Sequence, residues 1–492
     1  MTEKYILAVD QSTQGTKGLL FDSEGRLFCR ADRPHRQIIS EKGWVSHNLT
    51  EILENTLDVC ADVIKSAGIK KDQIAAFGIS NQRETTAAWN ISTGLPVCDA
   101  IVWQCGRAAE VCRKHEDEAE SIRQKTGITL SPFFPASKMQ WIMENVPEAK
   151  EAAANSELAF GTIDSWLVWN LTNEHAFKTD YSNASRTQLF NICDLKWDEE
   201  ICRSFGIPAE CLAEVCMSDS IFGYTDLGGL LPHTIPICGV LGDSHGALFG
   251  QDCRQPGLIK ATYGTGSSVM MNIGKEMLIS DRGIVTSLAW GRKGQVEYVF
   301  EGNLNYTGAV ITWLKNDLQM IKSAADTGSL AEEANPEDGT YFIPAFTGLG
   351  APYWKPDATG MFTGITRTTG RKEMVKACVE CIAYQITDLV ELMREESGLA
   401  IDELRADGGP TGNSYLMQFQ SDMARVSVRI PEIQELSGMG AAYMAGITAG
   451  LYDEEEVFTK IQHSSYSCGM PEEIRKEKYA GWKKAVERAI SD

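Results

Sequence analysis

The feature that most constrains the fold is a strand, a polar turn and a second strand at the start of the chain. Residues 4–9 form an apolar, β-prone run that predicts a buried strand, and Asp10 follows it directly. A turn of small polar residues ends at Lys17 and leads at once into a second apolar run, residues 18–22. The pattern therefore predicts a β-hairpin and not a strand followed by a helix.

The turn of this hairpin has the chemistry to hold a phosphate. Its backbone N–H groups, its hydroxyls and the ammonium of Lys17 are potential donors, while Asp10 is within reach of a Mg²⁺ ion. An ordinary polar hairpin is the alternative interpretation, because a short motif by itself is only a hypothesis.

The same unit recurs in the second half, as a strand over 257–263, a turn over 264–268 and a strand over 269–273. The 492-residue chain exceeds the roughly 250–300 residues at which a single core stops growing, so two domains are expected. Alternating helix and strand patterns predict the α/β class. We predict two duplicated domains that face one cleft, residues 1–250 and residues 251–492.

Two later segments place candidate residues directly after a predicted strand. The strand over 235–240 leads to Asp243 and a small-residue helix, whose N-terminal dipole would keep this carboxylate ionised. A simple helix cap is the alternative role for Asp243. The strand before Asp407 is followed by a glycine-rich turn and a helix from Ser414, which is a potential nucleotide site.

Charge and composition restrict the partners. The net charge of −21 argues against a nucleic-acid partner, because such binding depends on Lys and Arg meeting phosphates. A nucleotide cleft in so acidic a protein needs Mg²⁺ and a few cations, for which Lys17 and Arg83 are candidates. The sequence contains no apolar run of about 18 residues that would predict a membrane span, and no signal-peptide core near the N-terminus. A cytoplasmic location is therefore expected.

The 14 cysteines are scattered along the chain and favour reduced, mostly buried thiols over disulfides. One C-x-x-C motif, Cys378 to Cys381, lies in a helical pattern. It has no second pair and no neighbouring histidine, so a zinc site is not favoured.

Many ordered segments together resemble the FGGY carbohydrate kinases, and within that family they are most similar to the glycerol kinases. The resemblance covers residues 4 to about 450. The segments that carry it are Asp10–Thr13, Gly43–His47, Ser80–Thr86, Ile101–Cys105, Gly161–Asp164, Asn183–Thr187, Ile343–Trp354, Leu416–Asp422 and Gly440–Tyr443.

The resemblance implies an actin/Hsp70/hexokinase-like (ribonuclease H-like) architecture, with two α/β domains and a central cleft between them. It also implies ATP- and Mg²⁺-dependent phosphorylation of a hydroxyl on a small polyol or sugar. A homodimer is a further expectation at the level of the family. The alternative from another class is a non-catalytic ATP-binding module, which would not need the cluster of Arg83, Glu84 and Trp103.

The resemblance also assigns individual residues. It implies that Asp243 is the catalytic base and that Asp10 orients Mg²⁺. The implied acceptor-binding residues are Arg83, Glu84, Trp103, Phe133, Asp243 and Ser244. The implied nucleotide-binding residues are Thr13, Gln14, Lys17, Gly264, Thr265, Gly308, Thr312, Gly409 and Asn413.

Five positions depart from the glycerol kinase pattern. Lysine replaces arginine at Lys17 and threonine replaces glutamine at Thr312, so both nucleotide contacts could differ. In the acceptor site, Phe133 stands for tyrosine, Ser244 for glutamine and Ser268 for phenylalanine. We therefore expect a glycerol-like pocket that is roomier and more polar, with a longer polyol or ketose such as erythritol or xylulose as the alternative substrate.

Overall fold

The computed structural model describes residues 3–491 and arranges them around two large mixed β-sheets. The strands, in chain order, are β1 (Tyr5–Gln11), β2 (Gly15–Phe21), β3 (Leu27–Pro34), β4 (Gln37–Ile39), β5 (Val45–His47), β6 (Ile74–Asn81), β7 (Ala87–Asn90), β8 (Ala100–Ile101), β9 (Leu158–Gly161), β10 (Lys178–Asp180), β11 (Phe190–Asn191), β12 (Lys196–Trp197), β13 (Glu214–Cys216), β14 (Ile221–Thr225), β15 (Ile235–Gly242), β16 (Ile259–Tyr263), β17 (Ser267–Gly274), β18 (Val285–Arg292), β19 (Gln295–Leu304), β20 (Tyr341–Ile343), β21 (Met361–Thr363), β22 (Glu403–Asp407), β23 (Ser427–Pro431) and β24 (His463–Tyr466).

The helices flank these sheets and vary from one turn to seven. In chain order they are α1 (Leu49–Ala67), α2 (Ala109–Lys114), α3 (Ala119–Thr126), α4 (Pro135–Asn145), α5 (Pro147–Ala154), α6 (Ile163–Leu171), α7 (Tyr181–Ala184), α8 (Glu199–Ser204), α9 (Asp243–Gly250), α10 (Gly308–Asn316), α11 (Asp326–Glu332), α12 (Arg371–Ser397), α13 (Ser414–Ala424), α14 (Leu436–Thr448), α15 (Glu454–Thr459) and α16 (Glu472–Ile490). No helix within residues 3–491 is both long enough and apolar enough to span a membrane.

The two sheets repeat one local topology. The first has the order β14-β15-β6-β1-β2-β3, with β1 antiparallel to β2 and parallel to β6. The second has the order β18-β19-β17-β16-β22-β23-β24, with β16 antiparallel to β17 and parallel to β22. Both predicted hairpins and the α/β class are thus confirmed, and each hairpin lies beside a parallel strand.

Helix α14 comes from the second half of the chain but packs on the first sheet, against β1, β6, β15 and helix α9. The helices approach closely because glycines meet: a Cβ on Gly440 would lie 1.9 Å from the carbonyl oxygen of Gly246. The core around α9 and α14 also includes Met270 and Val299 from the second sheet. A continuous apolar core therefore joins the two halves along this side.

Candidate active site

Three parallel strands of the first sheet bring the first group of site residues together. Strands β1, β6 and β15 run in the same direction, so their carboxyl ends lie at one edge of the sheet. Asp10 near the end of β1 pairs in register with Ser80, whose hydroxyl donates to its Oδ1 at 3.1 Å. Arg83 and Glu84 follow β6, and Asp243 follows β15 as the first residue of α9. Helix α9 starts at Asp243 itself, whereas the small-residue pattern predicts a helix over 247–250.

Arg83, Glu84, Arg186 and Glu301 form a buried arginine–glutamate cluster at this edge, in which every residue is 8% exposed or less. Arg83 donates from Nη1 and Nη2 to the two oxygens of Glu301, at 2.9 and 3.0 Å, and from Nε to Oδ1 of Asp243 at 3.1 Å. Arg186 donates from Nε to Oε1 of Glu84 at 2.6 Å, and its Nη1 lies 3.0 Å from Oε2 of Glu301.

Several atoms of this edge have no hydrogen-bond partner in the described part of the chain and are available to a ligand. The side chain of Asp243 is 36% exposed, and its Oδ1 accepts from Arg83 and from the backbone N–H of Ser244 at 2.6 Å. Within residues 3–491, no donor reaches Oδ2 of Asp243 or Oε2 of Glu84. Arg83 has five N–H donors and uses three, so two remain. Such a set can both accept from and donate to hydroxyl groups.

An aromatic pair lies beside these polar groups. The rings of Trp103 and Phe133 are 5.3 Å apart, and both side chains are half-buried. The Nε1 of Trp103 donates to the hydroxyl of Thr13 at 2.9 Å, which ties this pair to the first hairpin turn. The carbonyl oxygen of Phe133 accepts from the buried amine of Lys138, which fixes the segment that carries the phenylalanine. The pair can pack against the carbon chain of a small acceptor.

At the first hairpin turn, the ammonium of Lys17 is paired with a carboxylate of the protein. This ammonium lies 2.6 Å from Oε2 of Glu435, a buried carboxylate that also accepts from Arg30, so a phosphate contact by Lys17 stays a prediction. Thr13 is half-buried and Gln14 is exposed in the turn. Burial raises the pKa of Asp10 to about 6, against the opposing effect of Lys17 and with a further rise from Asp243.

A cavity of about 830 Å³ lies in the second half of the chain. Six of the predicted nucleotide residues line it, namely Gly264, Thr265, Gly308, Thr312, Gly409 and Asn413. The second hairpin turn, the start of α10 and the segment before α13 form these walls. The turn and the helix touch through glycine, since a Cβ on Gly308 would lie 2.4 Å from the carbonyl oxygen of Gly264.

Some polar side chains of this cavity form hydrogen bonds within the protein. Asn413 caps α13 by accepting from the backbone N–H of Leu416 at 3.1 Å, and its Nδ2 donates to Thr327 at 3.0 Å. Thr312 donates to the carbonyl oxygen of Gly308 at 3.4 Å. Sequence reasoning missed other lining residues, among them Lys315 and Thr327. Contacts from Asn413 and Thr312 to a nucleotide stay predictions.

Strand β17 connects the cavity with the arginine–glutamate cluster. Thr265 lies in the turn at the cavity, and Ser268, three residues or about 10 Å further along, donates to Oε1 of Glu301 at 3.4 Å. The hairpin that lines the cavity therefore also reaches the arginine–glutamate cluster.

Arg186 and Glu301 are the two residues of the cluster to which the sequence alone assigns no role. Arg186 lies in one of the segments of the family resemblance, but nothing local indicates its partners. Glu301 interrupts an apolar strand and is 1% exposed, and an ionised side chain in such a run is costly unless it is paired. That interruption is the signal that could have identified it.

Family descriptions match nearly the whole chain. The description "FGGY family of carbohydrate kinases, N-terminal domain" matches residues 5–250, and its C-terminal counterpart matches residues 259–449. The chain belongs to the FGGY family of carbohydrate kinases. It is therefore a phosphotransferase that uses ATP and an alcohol group as acceptor, and not a non-catalytic ATP-binding module.

Individual relatives and structures agree with this FGGY assignment. The chain is 44% identical over 491 residues to "Glycerol kinase" of Caldanaerobacter subterraneus, covering 99% of each chain. It is 46% identical over 492 residues to "Glycerol kinase 1" of Thermotoga maritima, covering 99% of this chain and 100% of the relative.

Solved structures share the two-domain fold. The glycerol kinase of Plasmodium falciparum with ADP superposes with a TM-score of 0.94 at 32% identity, covering 99% of this chain and 98% of that one. A ligand-bound xylulose kinase of Lactobacillus acidophilus has a TM-score of 0.86 at 20% identity over the same shares, which reports on the fold alone. The predicted architecture is confirmed as that of the FGGY kinases.

Proposed function

We propose that this protein transfers the γ-phosphoryl group of ATP to a hydroxyl of glycerol. The observation that carries the proposal is the half-exposed carboxylate of Asp243, held by Arg83 at the edge of the first sheet beside an aromatic pair. The glycerol kinases that are 42–46% identical over the full length of the chain support the choice of acceptor.

The acceptor-binding roles follow from the free atoms. Oε2 of Glu84 and Oδ2 of Asp243 accept hydrogen bonds from hydroxyls, and the two spare N–H groups of Arg83 donate to them. Trp103 and Phe133 pack against the carbon chain. Asp243 orients the reacting hydroxyl and accepts its proton late, as the phosphoryl group arrives, because a carboxylate is a weak base and this transfer demands little base strength.

ATP has its adenosine portion in the large cavity and its phosphates between the two hairpin turns. Thr13, Gln14 and Lys17 are the donors on one side, and Thr265 is the donor on the other. Binding on both sides places the terminal phosphate near the hydroxyl held by Asp243. Water has to be excluded there, since it competes as the acceptor.

Mg²⁺ fits at Asp10. The ion commonly binds through one or two carboxylates and substrate phosphates, and burial of Asp10 beside Asp243 raises its pKa to about 6, which a nearby cation would reverse. No group of three or more His, Cys, Asp or Glu side chains in residues 3–491 could hold a metal alone, so phosphate oxygens would complete the shell. When bound, Mg²⁺ neutralises charge on the phosphates.

A longer acceptor such as erythritol or xylulose is the second candidate. It is favoured by Ser268, a small polar residue that lies against Glu301 where the resemblance expects phenylalanine. Ser244, beside the catalytic carboxylate, is also small and half-buried. The domain division at residue 250, a homodimer and a cytoplasmic location are further proposals from the sequence.

An acceptor panel combined with one substitution tests this function. Glycerol, erythritol, xylulose, ribulose and gluconate are assayed for ADP release with Mg²⁺ and ATP, and glycerol is expected to give the highest kcat/KM. Asp243→Asn should lower kcat by about 10²–10⁴-fold while ATP binding, measured by calorimetry, is retained.

The matched control is Asp402→Asn, the same change at an exposed carboxylate, which should leave turnover unchanged. Retained turnover in Asp243→Asn would refute the base assignment. Turnover with another member of the panel in place of glycerol would refute the assignment of glycerol as the acceptor, but not the assignment of the protein as a kinase.

A further inference from the structure

We infer that Glu301 is a positioning residue for the acceptor site, through which the second sheet sets the guanidinium of Arg83 beside Asp243. The inference rests on the proposed function, because Arg83 is taken to bind the acceptor. It extends that function by giving the second sheet, which carries the nucleotide cavity, a defined part in acceptor recognition.

The geometry of the Arg83–Glu301 pair fixes the orientation of the guanidinium. Arg83 and Glu301 meet through two parallel hydrogen bonds of 2.9 and 3.0 Å, the bidentate arrangement that restricts a guanidinium in both direction and plane. Its Nε is then left to meet Asp243 at 3.1 Å. With these three donors used, the directions of the two remaining N–H groups follow from the position of Glu301.

Arg83 and Glu301 belong to different sheets. Arg83 follows β6 of the first sheet, whereas Glu301 lies on β19 of the second. Strand β19 leads directly to α10, and there the backbone N–H of Gly308 donates to Gly264 at 2.9 Å at the wall of the cavity. The strand that leads into the wall of the cavity therefore carries the carboxylate that orients Arg83.

Burial of an ionised Glu301 carries an electrostatic cost. Burial alone would raise the pKa of Glu301, but Arg186 and Arg83 hold it well below its usual range, so the carboxylate is ionised. A buried ion pair is weak evidence for stability, since an apolar replacement is often as stable or more so. A positioning role explains why the charge is present.

The experiment compares Glu301→Gln with Glu297→Gln, the same change four residues earlier on β19. Glu297 accepts from Asn272 and touches no residue of the arginine–glutamate cluster among its described hydrogen bonds and ion pairs. Glu301→Gln should raise the KM for glycerol at least about tenfold, as loss of one charged hydrogen-bond partner does. Binding of ADP, measured by calorimetry, should change less than twofold, and Glu297→Gln should alter neither quantity.

A double-mutant cycle with Arg83→Lys separates positioning from general structural support. If Glu301 acts through Arg83, adding Glu301→Gln to Arg83→Lys should raise the glycerol KM less than about threefold further, because coupled residues are not additive. Full additivity, or a parallel loss of ADP binding and glycerol binding, would overturn the inference.

Folding and substrate identity are controlled separately. If Glu301→Gln fails to fold, Glu301→Asp keeps the charge and shortens the reach, and the same rise in KM with unchanged ADP binding is expected. An unchanged KM in that variant would overturn the inference. If the wild-type protein uses another acceptor in place of glycerol, the proposed function fails, and the KM for that acceptor tests Glu301 in the same way.

Discussion

Asp10→Asn is expected to stabilise the protein while it removes activity. Asp10 is 7% exposed, and its only hydrogen-bond donor in the described chain is the hydroxyl of Ser80. The neighbouring Lys17 is directed to Glu435, so it offsets the burial of Asp10 only in part. The ionised carboxylate is consequently less favourable in the folded state than in water.

The magnitude follows from the pKa, which rises from 3.8 to about 6. Each unit corresponds to about 1.4 kcal/mol, so ionised Asp10 reduces the free energy of unfolding by about 3 kcal/mol. Because the folded state binds the proton more tightly, this loss is nearly absent at pH 4, grows between pH 4 and pH 6, and is complete above that range. Asn has the same shape and no charge.

The assay is urea unfolding of both proteins at pH 8 and at pH 4, without nucleotide or Mg²⁺. Asp10→Asn should raise the free energy of unfolding by about 2–3 kcal/mol at pH 8 and change it little at pH 4. Its turnover with Mg²⁺ and ATP should fall at least about 100-fold, as for other groups that stabilise transferring charge. Asp402→Asn is the control for stability. A variant that is less stable than wild type at pH 8, or a gain that is equal at both pH values, would refute the reasoning.

Two further predictions concern the two ligand sites. Ser268→Phe fills the space beside Glu301, so kcat/KM for erythritol in the ADP-release assay should fall at least about tenfold, while kcat/KM for glycerol changes less than about threefold. Equal effects on the two acceptors would exclude a role for Ser268 in selecting the length of the acceptor. Gly308→Ala places a Cβ 2.4 Å from the carbonyl oxygen of Gly264, and the resulting overpacking should weaken ADP binding about tenfold by calorimetry. Unchanged ADP binding would mean that the turn and α10 can move apart without distorting the cavity.

Features that depend on local pattern could be predicted from the sequence. The two hairpins have turn residues between apolar runs, and both form as antiparallel pairs, β1–β2 and β16–β17. The apolar pattern after the first strands predicts a helix from Glu51 to about Ser66, and the helix is observed as Leu49–Ala67, where Asn48 caps the first turn. In each case, neighbouring residues in the chain supply the signal that determines the element.

Contacts between distant parts of the chain could not be predicted in this way. Lys17 meets Glu435, which is 418 residues away, and this pairing changes the charge available to a phosphate at the first turn. Helix α14 packs on the sheet of the other half of the chain. Apolar periodicity indicates that a helix face is buried, but it does not indicate which sheet covers it.

The buried carboxylates show what distinguishes a binding group from a structural one. Asp388 is 2% exposed, and its two oxygens accept from Tyr353, Tyr479 and Trp482 at 2.6–2.8 Å, so nothing is left for a ligand. Glu301 likewise has both oxygens on arginines, and for that reason we assign it to positioning and not to substrate contact. Within residues 3–491, Asp243 retains one oxygen that accepts from no donor, and so does Glu84. Burial does not distinguish Glu84 from Asp388 or Glu301, so the count of unpaired oxygens, which requires three-dimensional structure, decides the role.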